Sequence, residues 1–177
     1  MSIAQKYTEK LTTQKYAEKP VITGVELLEL SLKTDDGGNF LELFRLKSGQ
    51  IEGLATPFEV KQISLSILES GAIKAYHIHQ TQDDVWFVPP FERLLVNLHD
   101  LRQDSNTFDT HLRIVLGGGQ AKLLRIPLGV AHGLKNCYQR PMSLIYATNQ
   151  QFSLDQPDEL RLPWDHFGAD VWEIQKG

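Results

Sequence analysis

The chain lacks most of the features that would mark a specialised protein. It has one cysteine, Cys137, in 177 residues, which excludes a disulfide framework and any multi-cysteine zinc site. A lone thiol of this kind is expected to pack as a small apolar group. There is no basic excess: 18 Lys and Arg against 22 Asp and Glu leave a net charge of −4, so no nucleic-acid-binding face is expected. Long hydrophobic runs are also missing. The longest, Val85 to Phe91, is broken by Pro89 and Pro90 and is far too short to span a bilayer. Charges begin at Lys6 and no apolar signal core precedes them, which points to the cytoplasm and away from any membrane. Finally, no long segment carries an apolar stripe at the 3.6-residue spacing of a helix.

What remains is ordinary in amount and informative in pattern. Hydrophobic residues make up 41% and charged residues 23%, as in a soluble globular domain, and the length suits one such domain. Residues 1–20 read as a polar arm with a nine-residue echo, Lys6 to Lys10 and Lys15 to Lys19, expected as a tail or frayed helix that stops at Pro20. Residues 21–177 read as a single domain. Within it Leu28, Leu30 and Leu32, then Ile63, Leu65 and Ile67, then Leu94, Val96 and Leu98, and finally Leu144, Tyr146 and Thr148 recur every second residue, the period of half-buried strands. Turn signals separate them, including Asp35-Asp36-Gly37-Gly38, Glu69-Ser70-Gly71 and Gly117-Gly118-Gly119. Many short strands at this spacing predict an all-β sandwich or barrel. The triple glycine has no following Lys-Ser/Thr pair and reads as a loop rather than a phosphate cradle. The acidic run Asp155 to Glu159 reads as a solvated loop. Trp86, Phe87 and Phe91 read as core or interface aromatics before a sugar-stacking wall.

Two segments carry chemistry. In Gly71-Ala-Ile-Lys-Ala-Tyr-His77-Ile-His79-Gln-Thr-Gln-Asp83-Asp84 the two histidines are two apart, so on a strand they share a face. In Pro127-Leu-Gly129-Val-Ala-His132-Gly133-Leu-Lys-Asn136 a turn delivers a third histidine. The first resembles the Gly-x5-His-x-His-x3-4-Glu pattern of cupins, with Asp for Glu, and the second their Pro-x-Gly-x2-His-x3-Asn pattern. The resemblance implies a cupin double-stranded β-helix, a jelly-roll barrel, with the polar arm in front. Its histidines allow two chemistries. His77, His79, Asp83 or Asp84, and His132 would suit a divalent transition metal, as in a metal-dependent oxygenase or isomerase. A single histidine could instead act as general base near neutrality. A cupin that binds carbohydrate without turnover is the third reading.

The rest of the chain resembles the dTDP-4-dehydrorhamnose 3,5-epimerase family over about residues 24–172. Gly37 to Arg45 is similar to that family's segment built on Gly-Phe-Phe-x-Glu. Lys74-Ala75-Tyr76-His77 resembles its Arg-Gly-Leu-His, Asp100-Leu101-Arg102 through Ser105, Thr107 and Phe108 its Asp-Leu-Arg-x-x-Ser-x-Thr-Phe, and Ile126 to Gly133 its Ile-Pro-x-Gly-x-Ala-His-Gly. The resemblance implies a homodimer acting on a small-molecule 4-keto sugar, nucleotide-linked, without metal or nicotinamide. His77 would remove the proton alpha to the ketone and Tyr146 would return one from the opposite face. Lys74, His132, Glu42 and Arg45 would bind substrate. Charge on the ketone oxygen must be stabilised for such a proton to leave. Several positions depart from the family: Lys74 stands where it has Arg, Asp84 where a Lys-Leu-Val stretch supplies a lysine, and His79 where Gln is usual. The family pairs its base with an aspartate from a C-terminal extension. No Asp follows Trp172, so His77 is expected to lack a carboxylate beside it.

Overall fold

The computed structural model describes residues 2–14 and 18–175. Lys15 to Ala17, in the second copy of the N-terminal echo, lie outside the described residues. The first copy begins a single exposed helical turn, α1 (Gln5–Thr8). Strand β1 (Glu26–Glu29) leads into two hairpins, β2 (Lys33–Asp35) with β3 (Gly38–Phe40), and β4 (Leu46–Lys47) with β5 (Gln50–Ile51). Then come β6 (Gln62–Leu68), β7 (Ile73–Ile78), β8 (Asp84–Phe87), β9 (Arg93–Asp100), β10 (His111–Gly117), β11 (Lys122–Ile126), β12 (Val130–Lys135) and β13 (Met142–Thr148). The short β14 (Leu160–Arg161) follows, and a 3-10 turn at Asp170–Trp172 comes after it.

The strands form two five-stranded antiparallel sheets, one in the order β1-β11-β8-β13-β6 and the other β10-β9-β12-β7-β14. This is the all-β architecture that the short alternating runs and turn glycines predict, in the jelly-roll form that the cupin resemblance implies. Between the sheets, Trp86, Leu94, Val96, Leu98, Ile114, Leu124 and Leu144 form a continuous buried core. At about 25 cal/mol per Å2 of apolar surface removed from water, such a core is the main force closing the barrel. A second cluster lies around Phe58, Val85, Phe87 and Leu123, under Leu41, Leu43 and Phe44. A third gathers Tyr76, Trp172 and the half-buried Cys137, the packing role expected of the lone thiol.

One alternation runs opposite to expectation. In β6 the apolar Ile63, Leu65 and Ile67 are 53%, 64% and 46% exposed, while Gln62 and Ser66 line an internal cavity. A strand beside a wet cavity turns its polar side chains inward, so the period of two is right and the face assigned to the core is not.

Two glycines set the geometry near the histidines. Gly129 has φ 75°, and its N–H donates to the His79 carbonyl at 2.8 Å, tying the Pro-x-Gly turn to the end of β7. A side chain on Gly133 would run into Ala75. Its absence lets β12 lie against β7 with His132 directly opposite His77.

Candidate functional site

The open end of the barrel holds a cavity of about 500 Å3 lined by His77, His79, Asp84, Trp86, Tyr146 and Glu159, among others. That volume is in the range of small-molecule sites. His77 comes from β7 in one sheet and Tyr146 from β13 in the other, so they approach the cavity from opposite walls. Tyr146 pairs with Trp86 on one side and Ser64 on the other.

His77 is largely buried, and its Nε2 has no hydrogen-bond partner among the described residues. Its Nδ1 lies 3.9 Å from Glu159 Oε1. Burial pushes the imidazole below its ordinary value and Glu159 partly opposes this, which favours the neutral form. At 3.9 Å Glu159 makes no hydrogen bond to the ring, and Nε2 is itself enclosed. Among the described residues no aspartate stands beside His77, and the carboxylate nearest its Nδ1 is that of Glu159, which is itself paired with Arg161. Glu159 comes near because β14 pairs with β7, setting Arg161 opposite His77.

Under the cavity floor His132 is 2% exposed. Burial pushes its pKa down to about 4. Its Nδ1 contacts the Val130 carbonyl at 2.9 Å, and its Nε2 is buried without a partner among the described residues. It stands behind the wall rather than on it, edge-on to Trp86 at a ring separation of 5.2 Å. His79 Nδ1 meets the Asp158 carbonyl. The Asp158 carboxylate accepts from the amides of Gln80, Thr81 and Gln82 at 2.8–2.9 Å. Although burial works against it, those donors hold the Asp158 carboxyl below its ordinary range. The run Asp155 to Glu159 is thus no plain solvated loop, since two of its members shape the site. A charge run by itself carried no signal of this, and only the long-range pairing of β14 reveals it.

The other expected residues divide. Lys74 joins the cavity wall, its Nζ 2.7 Å from Ser66 Oγ. Asp84 is buried between His79 and His132. Asp83 is turned away: its carboxylate takes Arg125 NH2 at 2.6 Å and the Leu128 amide at 2.7 Å, so it is not among the histidines' neighbours. Glu42 and Arg45 also stay outside. They pair with each other at 2.8 Å on the surface and border a different cavity, because Leu41, Leu43 and Phe44 of that segment are drawn onto the second cluster. Trp86 is a wall of the site and Phe87 is core, while Phe91 is 77% exposed. Arg161, missed in the sequence, adds a cation at the rim beside Glu159.

Residues 19–173 match the family described as dTDP-4-dehydrorhamnose 3,5-epimerase. The chain belongs to that family. The spore coat polysaccharide biosynthesis protein SpsL of Bacillus subtilis is 40% identical over 145 residues, 82% of this chain and 91% of SpsL. A probable low-salt glycan biosynthesis epimerase of Haloferax volcanii is 30% identical over 146 residues, 82% of this chain and 90% of that protein. Among solved structures, the dTDP-4-dehydrorhamnose 3,5-epimerase of Bacillus anthracis, with TDP and PPi bound, superposes with TM-score 0.73. It is 26% identical, with 87% of each chain covered. The Legionella pneumophila enzyme has TM-score 0.74 at 22% identity, covering 89% of this chain and 83% of that one, a likeness of fold. The fold is the cupin jelly roll of these epimerases, and the family places this chain in the isomerase class as a sugar-nucleotide epimerase.

Proposed function

We propose that residues 21–177 act as one cupin domain that moves protons at a carbon next to the ketone of a dTDP-linked 4-keto sugar, with His77 as base and Tyr146 as acid. The observation that carries this reading is the arrangement of the two groups on opposite sheets facing one cavity. Inversion at carbon needs a proton taken from one face and returned to the other. His77 offers an imidazole on the cavity wall whose burial favours the neutral form, and the nearby Glu159 would steady the imidazolium formed when it accepts a proton. The phenol of Tyr146 can quench the basic enolate from across the cavity. Lys74 and Arg161 at the wall and rim supply cations for the diphosphate, Lys74 as a point charge rather than a bidentate fork. Such proton transfer uses no redox cofactor.

The enzyme is further read as a cytoplasmic homodimer. No described helix is long and apolar enough to cross a membrane. β6 is an edge strand whose outer face is Ile63, Leu65 and Ile67, and an exposed apolar edge of this kind invites pairing with a second copy.

Two variants test the assignment by NMR of the sugar. His77→Ala should lose both exchange and inversion. Tyr146→Phe should retain exchange at the acidic carbon while losing the inverted product. Inversion surviving in both would remove these residues from the mechanism.

A further inference from the structure

Beneath the cavity the structure gathers a donor set that proton transfer by His77 and Tyr146 does not use. The Nε2 atoms of His79 and His132 and the carboxylate of Asp84 all lie within 4.8 Å of one another, and all three residues are buried. His79 Nε2 stands 3.9 Å from Asp84 Oδ1, and His132 Nε2 stands 3.8 Å from Asp84 Oδ2. We propose that His79, Asp84 and His132 form a binding site for a divalent first-row transition-metal ion.

Three observations support this. First, each histidine has its Nδ1 against a backbone carbonyl, that of Asp158 for His79 and that of Val130 for His132. A carbonyl only accepts, so Nδ1 carries the proton in both rings and the Nε2 lone pairs turn to Asp84. Backbone carbonyls on the far nitrogen are the usual outer partners of metal-binding imidazoles. Second, His132 Nε2 is a buried acceptor without a partner among the described residues. Such an atom costs roughly 1–3 kcal/mol unless something fills its coordination. Third, Trp86 Nε1 donates to Asp84 Oδ2 at 2.9 Å, fixing the carboxylate between the two rings as an outer-shell donor would.

Two imidazoles and a carboxylate suit Fe(II), Mn(II), Co(II) or Zn(II) better than Mg or Ca. Metal–ligand bonds of about 2.0–2.2 Å call for donors slightly closer together than they stand. The Gln82 amide now lies 2.7 Å from Asp84 Oδ1 and 3.4 Å from His79 Nε2, so it must swing aside or turn its oxygen to the ion. His77 and Asp83 are not part of the set. Two of the three ligands stand where the family resemblance calls for Gln and Lys, so the site is this chain's own and does not depend on the proton-transfer reading. Since His79 and Asp84 also line the cavity, a cation here would supply positive charge where Asp84 has replaced a lysine.

The test is titration of the metal-stripped full chain with Co(II), read by its visible ligand-field absorption and by calorimetry. One equivalent per chain should bind with micromolar or tighter affinity. His166→Ala, at an exposed histidine, should bind equally. His79→Ala with Asp84→Asn should abolish the spectrum. His79→Gln, the conservative change, should also lose it while keeping the wild-type thermal midpoint. No stoichiometric uptake by the folded wild type, or undiminished uptake by folded His79→Gln, would overturn the site.

Discussion

His77 shows how a side chain acquires a role from its neighbours. On its own it is a partly hidden histidine on a strand. Its place on the cavity wall opposite His132, with a carboxylate 3.9 Å from its Nδ1, makes it a candidate base. Glu159 is the least expected of these neighbours, and in the proposed reaction it would serve as a positioning residue. Glu159→Gln should lower kcat by about 10-fold, short of the 10²–10⁴-fold worth of a general base itself. KM and thermal midpoint should stay near wild type, because Glu159 is partly solvent-exposed and, among the described residues, pairs otherwise only with Arg161. A parallel rise in KM would mean that it binds substrate instead. His77, His79, Asp84 and His132 were legible in the sequence because motif spacing carries them. Asp158 and Glu159 were not, since their function comes from a pairing with a strand far away in the chain.

The loop after β9 shows that a diagnostic motif can be purely architectural. Asp100 is fully buried at the end of β9. Its carboxylate accepts from Arg102 Nε at 2.7 Å, Ser105 Oγ at 2.7 Å and Thr107 Oγ1 at 2.7 Å. Arg102 and Thr107 in turn hold Thr23 at the entrance to the barrel. The Asp-Leu-Arg-x-x-Ser-x-Thr pattern, one of the stretches that carry the family resemblance, thus pins the chain's entry to the barrel and does not line the pocket. Burial alone would raise the Asp100 carboxyl, but these donors outweigh it and hold the group well below its ordinary value. A depressed carboxyl stabilises the fold above its unfolded value of about 3.9 and loses that contribution as pH falls toward its folded value. Asp100→Asn should therefore cost about 3 kcal/mol at pH 7 in urea unfolding. The gap to wild type should narrow progressively below pH 4, and a gap independent of pH would contradict the role. Strand positions were readable from alternation, but the inside and outside of β6 were not. Periodicity reports two faces, and only the cavity decides which one must be polar.

At the scale of the molecule, barrel and pocket are one device: two sheets supply opposing walls, and a short C-terminal strand brings a carboxylate to one of them. In the proposed homodimer the uncovered apolar face of β6 would meet a partner copy. Leu65→Lys should shift the protein from dimer to monomer in sedimentation velocity without unfolding it, whereas a wild type that sediments as a monomer would exclude the dimer. The fold class was legible because turn glycines and alternating runs are local signals. Closure of the pocket by residues 158–161 was not, because it is a tertiary contact. The central claim is that this pocket moves protons at carbon beside a ketone, and solvent exchange measures that directly. Incubated in D2O with a dTDP-linked 4-keto sugar, the enzyme should place deuterium at carbon flanking the ketone. His77→Ala should do so roughly 10²–10⁴-fold more slowly. Deuterium uptake no faster with the wild type than with His77→Ala would contradict the account.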